Sequence, residues 1–446
     1  MSTNVANQSE RKRSVLGVFS GLVLGLIRCA WLTALLLLLI FNSRLYLPSP
    51  LAATDDSLPV NMLKQLAASE AAIENGAAQS MQQIFPEGYV LTHLFHGLSW
   101  IEVGLQNETH RNVALKNAIA AFAEVDSDAS RAGFPAHLPP DHGMFYSAWR
   151  AHLLAGIVLL EKGKDPQHFD RLKSQCDRLR EFISKSSTPF PASYRGMAWP
   201  CDTFPAIHAM VIYDAVAETD RYAGAVRDWL VRAKIGIDQD TKLWAHTTDV
   251  TTGRPTSTAR ATSQSIILRM LPDIAPEMAA EQYGEFRKRF HCTTLGLPSV
   301  REFPPGVRGG FGDVDSGPLF FGRSFSATVM SIGLARIFGD TDWATATAKC
   351  GEAIAIPYES NGKRHYAFGV LPIGEQMVAY SYNARPWLTT FAKGKVQAAQ
   401  TAHLTHSPYW RYKLHLLTLV LCVATWYRFR KRIRKRSRDA SNVAAQ

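Results

Sequence analysis

The chain has 446 residues and a formal net charge of +11, with 46% hydrophobic and 20% charged residues, enough for one large domain or two ordinary ones. The charge is segregated: residues 408–446 carry +9, residues 1–43 carry +3, and the stretch between them is near −1. A basic excess confined to the two ends reads as membrane flank rather than as a nucleic-acid-binding surface, and six cysteines with no C-x-x-C fit no zinc site.

Residues 1–14 form a basic N-terminus with Arg11-Lys12-Arg13, followed by an almost wholly apolar run, 15–41, whose one charge is Arg28. That run exceeds the roughly 20 residues a spanning helix needs. The small residues near Pro50-Leu51-Ala52-Ala53 leave a cleaved signal peptide open as the alternative to an anchor. A second apolar run, Leu414–Tyr427, spans a bilayer only with Tyr409, Trp410 and Tyr412 as an aromatic belt, giving an expected segment 409–427. The tail 428–446 is basic. The positive-inside rule then places both termini in the cytoplasm and residues 55–400 outside, on the periplasmic side of a bacterial inner membrane. Disulfides among Cys176, Cys201, Cys292 and Cys350 are permitted there but not indicated.

Between the spans the apolar spacing is helical almost throughout. A first helix is expected over 61–83. Pairs follow over 91–106 with 109–122, 143–161 with 166–184, 203–216 with 221–235, 259–271 with 277–290, and 319–338 with 341–354; a closing helix runs over 375–391. Leu243–Thr247 and His365–Val370 are the strand candidates. Connections within pairs are short and those between pairs are long, which places every long loop at one end. With the first helix closing on the last, twelve helices in six hairpins make an all-α (α/α)6 toroid whose pocket lies at the long-loop end.

The long loops hold the unusual chemistry. Glu87, in Phe85-Pro86-Glu87-Gly88-Tyr89, is either a pocket acid or a charge at a helix N-terminus; Tyr89 is a candidate substrate contact. After Asp141, an expected N-cap, Tyr146 and Arg150 share a helix face beside Trp149 and suit a hydroxyl or carboxylate. In Tyr194-Arg195-Gly196-Met197-Ala198-Trp199-Pro200-Cys201-Asp202, Cys201 is either a thiol activated at a helix N-terminus or an inert buried one, and Asp202 is either a working carboxylate or a cap. Tyr194 and Trp199 are binding candidates. Trp244 and His246 share the next loop, with Arg260 behind; His246 suits proton transfer near neutral pH.

The densest stretch is Gly309–Pro318. Its glycines permit close backbone approach, and Asp313 and Asp315, two residues apart, push their pKa values apart, as an acid/base pair requires. The plainer reading is that Asp315 or Ser316 caps the next helix and Asp313 braces the turn. No P-loop, dinucleotide fingerprint, H-E-x-x-H or G-x-S-x-G occurs, so no cofactor and no metal are expected.

From about Tyr89 to Phe391 the chain resembles the linalool dehydratase/isomerase family. The likeness is carried by Met144-Phe145-Tyr146 and the helix after it, Trp199-Pro200-Cys201-Asp202, the Asp238–Trp244 turn with Arg254-Pro255, and Gly312-Asp313-Val314-Asp315-Ser316-Gly317. The resemblance implies an (α/α)6 toroid and cofactor-free protonation and removal of a hydroxyl by cysteine, histidine, tyrosine and aspartate groups. Cys201 falls where one site cysteine of the family would. Ala192 holds the place of the second and Arg150 that of the histidine. The leading expectation is a membrane-anchored, extracytoplasmic, cofactor-independent acid/base enzyme, lyase- or isomerase-like, acting on a hydroxylated substrate, with Asp313 and Asp315 as the pair and Cys201 with Asp202 opposite. The alternatives are a glycan-active hydrolase or lyase, and a non-catalytic membrane-associated binding or assembly protein.

Overall fold

The computed structural model describes residues 2–53, 58–366, 369, 371–388 and 406–444. It falls into two units, 1–47 with 408–446, and 48–407. The fold is mostly helical.

In the first unit α1 (Ser2–Arg44) packs on the last helix, α16 (Tyr412–Ala444). Trp31 Nε1 donates to Thr425 Oγ1 at 3.0 Å, Asn42 Nδ2 to Thr418 Oγ1 at 3.0 Å and Arg411 Nε to the Leu45 carbonyl at 3.2 Å, so numbers rise on one helix as they fall on the other and the pair is antiparallel. Among the described residues one stretch, Leu22–Arg44, is long and apolar enough to cross a membrane. The expected second span, 409–427, does not match it, because its apolar run is short and continues in the same helix into the basic tail.

The second unit contains α2 (Met62–Glu74), α3 (Ala77–Ile84), α4 (Gly88–Gln106), α5 (Arg111–Val125), the short α6 (Asp128–Arg131), α7 (Met144–Glu161), α8 (Pro166–Lys185), α9 (Phe204–Ala217), α10 (Ala223–Ala233), α11 (Ala261–Ile274), α12 (Pro276–Phe290), α13 (Phe325–Ile337), α14 (Thr341–Ala355) and α15 (Pro372–Tyr382). Helices α4, α7, α9, α11, α13 and α15 each pack on the next, and α15 packs back on α4, closing a toroid-like ring. Outside it α5 lies on α4, α8 on α7, α10 on α9, α12 on α11, α14 on α13 and α2 on α15. The chain enters each inner helix after α4 from a long segment, while α4 itself follows α3 across residues 85–87; the N-termini of the inner helices from α7 on, with their partial positive charges, gather at one end.

Sequence chemistry sets the joints. Asp165 caps α8, accepting from the Gln167 and His168 amides with Pro166 at the first turn. Gly156 lets α4 and α7 close up, since a Cβ there would lie 2.4 Å from Ile101 Cδ1. Polar side chains cross the ring at its short-loop half. Glu102 of α4 meets Arg269 of α11 across it, and His208 of α9 lies 3.0 Å from Asp273 of α11 and 3.4 Å from His152 of α7. Asp273 also accepts the Trp387 amide at 2.9 Å.

Several expected elements differ. The first helix breaks at Asn75-Gly76, where Gly76 is left-handed. Leu243–Thr247 forms no strand; the hairpins are β1 (His291–Thr294) with β2 (Leu297–Val300), and β3 (Tyr358–Ser360) with β4 (Lys363–His365). Of the other strand candidate, 365–370, residues 367, 368 and 370 lie outside the described residues, as do 389–391 of the expected closing helix. The helix expected from Leu319 starts at Phe325, because Gly317, Phe321 and Gly322 all have positive φ and keep that stretch in turns. Ser324, not Asp315 or Ser316, is its cap, accepting from the Ala327 amide.

Candidate active site

The long-loop end of the ring collects a carboxylate, a thiol or a histidine from the entrance of several inner helices. Glu87 precedes α4 and makes no cap bond; its carboxylate accepts from the Tyr194 hydroxyl. Cys201 and Asp202 lie in a 3-10 turn, Pro200–Asp202, leading into α9. His246 and Arg260 lie on the approach to α11, and Asp313 and Asp315 on the approach to α13.

Arg260 is the organising cation. Its Nε donates to Glu302 Oε1 at 2.8 Å, and its two terminal nitrogens grip both oxygens of Asp313, the NH2 bond being 2.8 Å. Such a bidentate fork is the strong form of an ion pair. Burial acts to raise the Asp313 carboxyl, but Arg260 and the Ser316 amide and hydroxyl outweigh it and hold it well below its usual range. Asp313 also braces the turn, accepting from Ser316 N at 3.1 Å. Glu302, fully buried, is pushed up by burial against the pull of Arg260.

The proton on His246 is placed by its neighbours. Trp199 Nε1 and Arg260 both donate to Nε2 at 3.2 Å, and neither side chain can accept. The proton therefore sits on Nδ1, facing Ser263 Oγ at 2.6 Å. Burial and then the Arg260 charge press its pKa down to about 3, so the imidazole is neutral at physiological pH. His246, Asp313 and Asp315 have ligand-type atoms within 4.8 Å of one another. That trio does not suit a metal, because the Arg260 guanidinium already occupies His246 Nε2 and both Asp313 oxygens.

Asp202 and Asp315 differ from Asp313. Asp202 is 5% exposed, and burial first, then Asp315 and Glu87, push its pKa up to about 7 against opposing hydrogen bonds. Asp315 is exposed as a residue, yet desolvation of its carboxylate, followed by the Asp313 charge, raises it to about 6. Tyr194, raised by burial and then Glu87, stays a phenol and donor; its ring meets Trp199 edge-on at 5.6 Å.

Cys201 is buried 3.7 Å from Asp202 Oδ1. A thiol activated at a helix N-terminus would have a lowered pKa; burial and the Asp202 charge push this one well above the ordinary value, so it stays protonated. Native protein treated with iodoacetamide at pH 8 is expected to leave Cys201 unmodified by mass spectrometry, with full labelling after denaturation; rapid native labelling would show a thiolate.

The remaining expected site residues are placed elsewhere. Tyr89 donates to Glu124 at 2.6 Å, Tyr146 to the Val125 carbonyl at 2.9 Å, and Trp244 Nε1 to the Ala233 carbonyl at 2.9 Å. Trp149 is a buried core residue on α7. Asp141 caps nothing and pairs with Arg150, which also reaches Asp126. The structure thus brings together Glu87, Tyr194, Trp199, Cys201, Asp202, His246, Arg260, Asp313 and Asp315. It adds Glu302, whose only sequence signal is an acid beside Arg301, and Ser263, which carries none.

No family model matches the chain, and no curated protein matches it. Among solved structures it is similar to a GH76 alpha-mannanase of Bacteroides thetaiotaomicron at 12% identity, covering 68% of this chain and 86% of that one with a TM-score of 0.43. It is also similar to a possible GH105 family member from Salmonella enterica serovar Paratyphi A at 14% identity, covering 65% and 82% with a TM-score of 0.42. Neither is a linalool dehydratase/isomerase.

Proposed function

We propose that this chain is a cofactor-independent acid/base enzyme of the (α/α)6 six-hairpin class, acting on a glycan by hydrolysis or elimination. The observation that carries the reading is that the Asp315 charge raises Asp202 and both carboxylates raise Tyr194, which packs edge-on against Trp199, while Arg260 withdraws Asp313 from proton transfer. Two carboxylates in unlike surroundings, one enclosed and one open to water, suit the roles of acid and base on a glycosidic bond.

Asp202, enclosed and proton-retaining, serves as the general acid toward the leaving oxygen. Asp315, open to solvent and the more acidic of the two, takes a proton from water or from the substrate. Tyr194, whose one proton goes to Glu87, accepts from a substrate hydroxyl, and the half-buried Trp199 offers its face to a sugar ring. Neutral His246, held by Ser263 and Arg260, positions Trp199. Because the Cys201 thiol stays protonated, the glycan reading is favoured over a thiol-assisted dehydration.

The test is a panel of aryl glycosides and oligosaccharides turned over by the full-length protein in detergent. The expected kcat/KM profile is a bell with limbs near pH 6 and pH 7, rising as Asp315 ionises and falling as Asp202 loses its proton. A profile flat from pH 5 to 8 sinks the assignment.

The same proposal anchors the enzyme through segments 15–41 and 409–427, both termini cytoplasmic and the ring periplasmic. The antiparallel packing of α1 on α16, tied by the Trp31–Thr425 and Asn42–Thr418 bonds, supports a two-helix membrane hairpin.

A further inference from the structure

The short-loop end of the ring holds two half-buried arginines that no acid pairs with among the described residues. Arg336 lies in the last turn of α13, and Arg385 lies three residues past the end of α15. The two elements meet closely beside them. A Cβ on Gly333, one turn before Arg336, would lie 3.1 Å from the Ala384 Cβ and 2.7 Å from Arg269 Nη1. Both arginines therefore flank one junction, and the charge of Arg385 acts on Arg336.

Their donors are largely unused. Arg385 Nη1 donates to the adjacent Ala384 carbonyl at 2.8 Å, and its other nitrogens have no acceptor among the described residues. Arg336 has none; its Nε is enclosed, while its two terminal nitrogens reach solvent. Glu102 acts on both arginines, but its Oε1 is committed to Arg269 and Trp387. Burial, and then the Arg385 charge, lower Arg336 to about 9, so it still carries its charge at neutral pH. The chain that follows offers no counter-charge, because no Asp or Glu stands between Glu375 and Asp439. A half-buried cation without a counter-charge is costly.

We propose that Arg336 and Arg385 together bind a phosphate group brought from outside the chain, at the end of the ring opposite the acid pair. A guanidinium offers paired N–H donors that match the oxygens of a phosphate, and two of them neutralise a doubly charged one. The terminal nitrogens of Arg336 and the unused nitrogens of Arg385 are the donors. A soluble phosphate and an anionic lipid headgroup share this chemistry.

The test is isothermal titration and thermal melting of the full-length protein in detergent, in phosphate-free buffer at matched ionic strength. Inorganic phosphate and dihexanoylphosphatidylglycerol are the two probes. Saturable binding of at least one is expected; phosphate alone assigns a soluble anion, the lipid alone a headgroup, and both together the phosphate group itself. Arg336→Gln and Arg385→Gln are each expected to weaken binding roughly tenfold or more, as the loss of one charge-assisted bond implies. Asp202→Asn is expected to bind as the wild type does. The melts separate binding from structure. Without a probe, Arg336→Gln should melt no lower than the wild type, because it removes a cation that has no partner. With a probe that binds, the wild type should be raised and the variant should not. Binding of neither probe by protein that melts cooperatively, undiminished binding in both arginine variants, loss of binding in Asp202→Asn, or a lower melting temperature of Arg336→Gln without a probe would each overturn the proposal.

Discussion

Asp202→Asn is expected to lower kcat by about 10²–10⁴, the contribution of one positioned acid, and at the same time to make the protein more stable at pH 8. The sign follows from the direction of the shift. The folded-state pKa of Asp202 lies above its ordinary 3.8, at about 7. Its contribution to stability is therefore full below about pH 4 and is lost as pH rises through about 7. Moving a carboxyl that far corresponds to on the order of 4 kcal/mol between the two limits. Asparagine has no charge to bury, so the variant's stability curve is flatter than that of the wild type over this window. Melting curves at pH 5 and pH 8 beside rates on the best substrate of the panel decide it. An unchanged rate removes Asp202 from the chemistry, and a lowered melting temperature at both pH values makes it a structural residue.

The second large effect is expected at Arg260. Arg260→Gln leaves Glu302 buried without its cation and frees both oxygens of Asp313. Breaking a buried pair by removing one partner costs about 3–5 kcal/mol, and chemical denaturation should show a loss of that size. Activity should fall as well, because the loop holding Asp315 is tied to α11 through the Asp313 fork. Arg260→Lys keeps the charge but cannot grip two oxygens in plane, so it should recover part of the stability and little of the rate. If Arg260→Gln unfolds no earlier than the wild type, the fork is a surface ornament and Asp313 is free to act.

These two residues also mark how far the sequence could be read. Asp202 stood out because thiol, aromatic and carboxylate crowd one helix entrance. The ring stood out because short and long connections alternate along the whole domain. What spacing could not supply was which of three aspartates keeps its proton. Asp313 and Asp315 look equivalent in the chain, and only Arg260, 53 residues earlier than Asp313, tells them apart. The helix start moved from Leu319 to Phe325 for a local reason, since Phe321 takes a left-handed conformation that its residue type does not announce. The buried network of Glu102, Arg269, His208 and Asp273 was invisible for the opposite reason. Its members sit singly on helices that read as apolar, and they meet only across the ring.

The seam of that ring has a temporal meaning. Trp387 Nε1 donates to Glu102 across 285 residues of sequence, and Gln106 to the Asn383 carbonyl across 277. During synthesis, α4 therefore emerges long before its last neighbour exists. Until α15 arrives, one flank of α4 stays uncovered, a state prone to aggregation and to chaperone capture. Loss of a few residues around Asn383 should then harm yield more than a comparable loss in any outer helix, because it leaves every earlier hairpin made and none of them sealed.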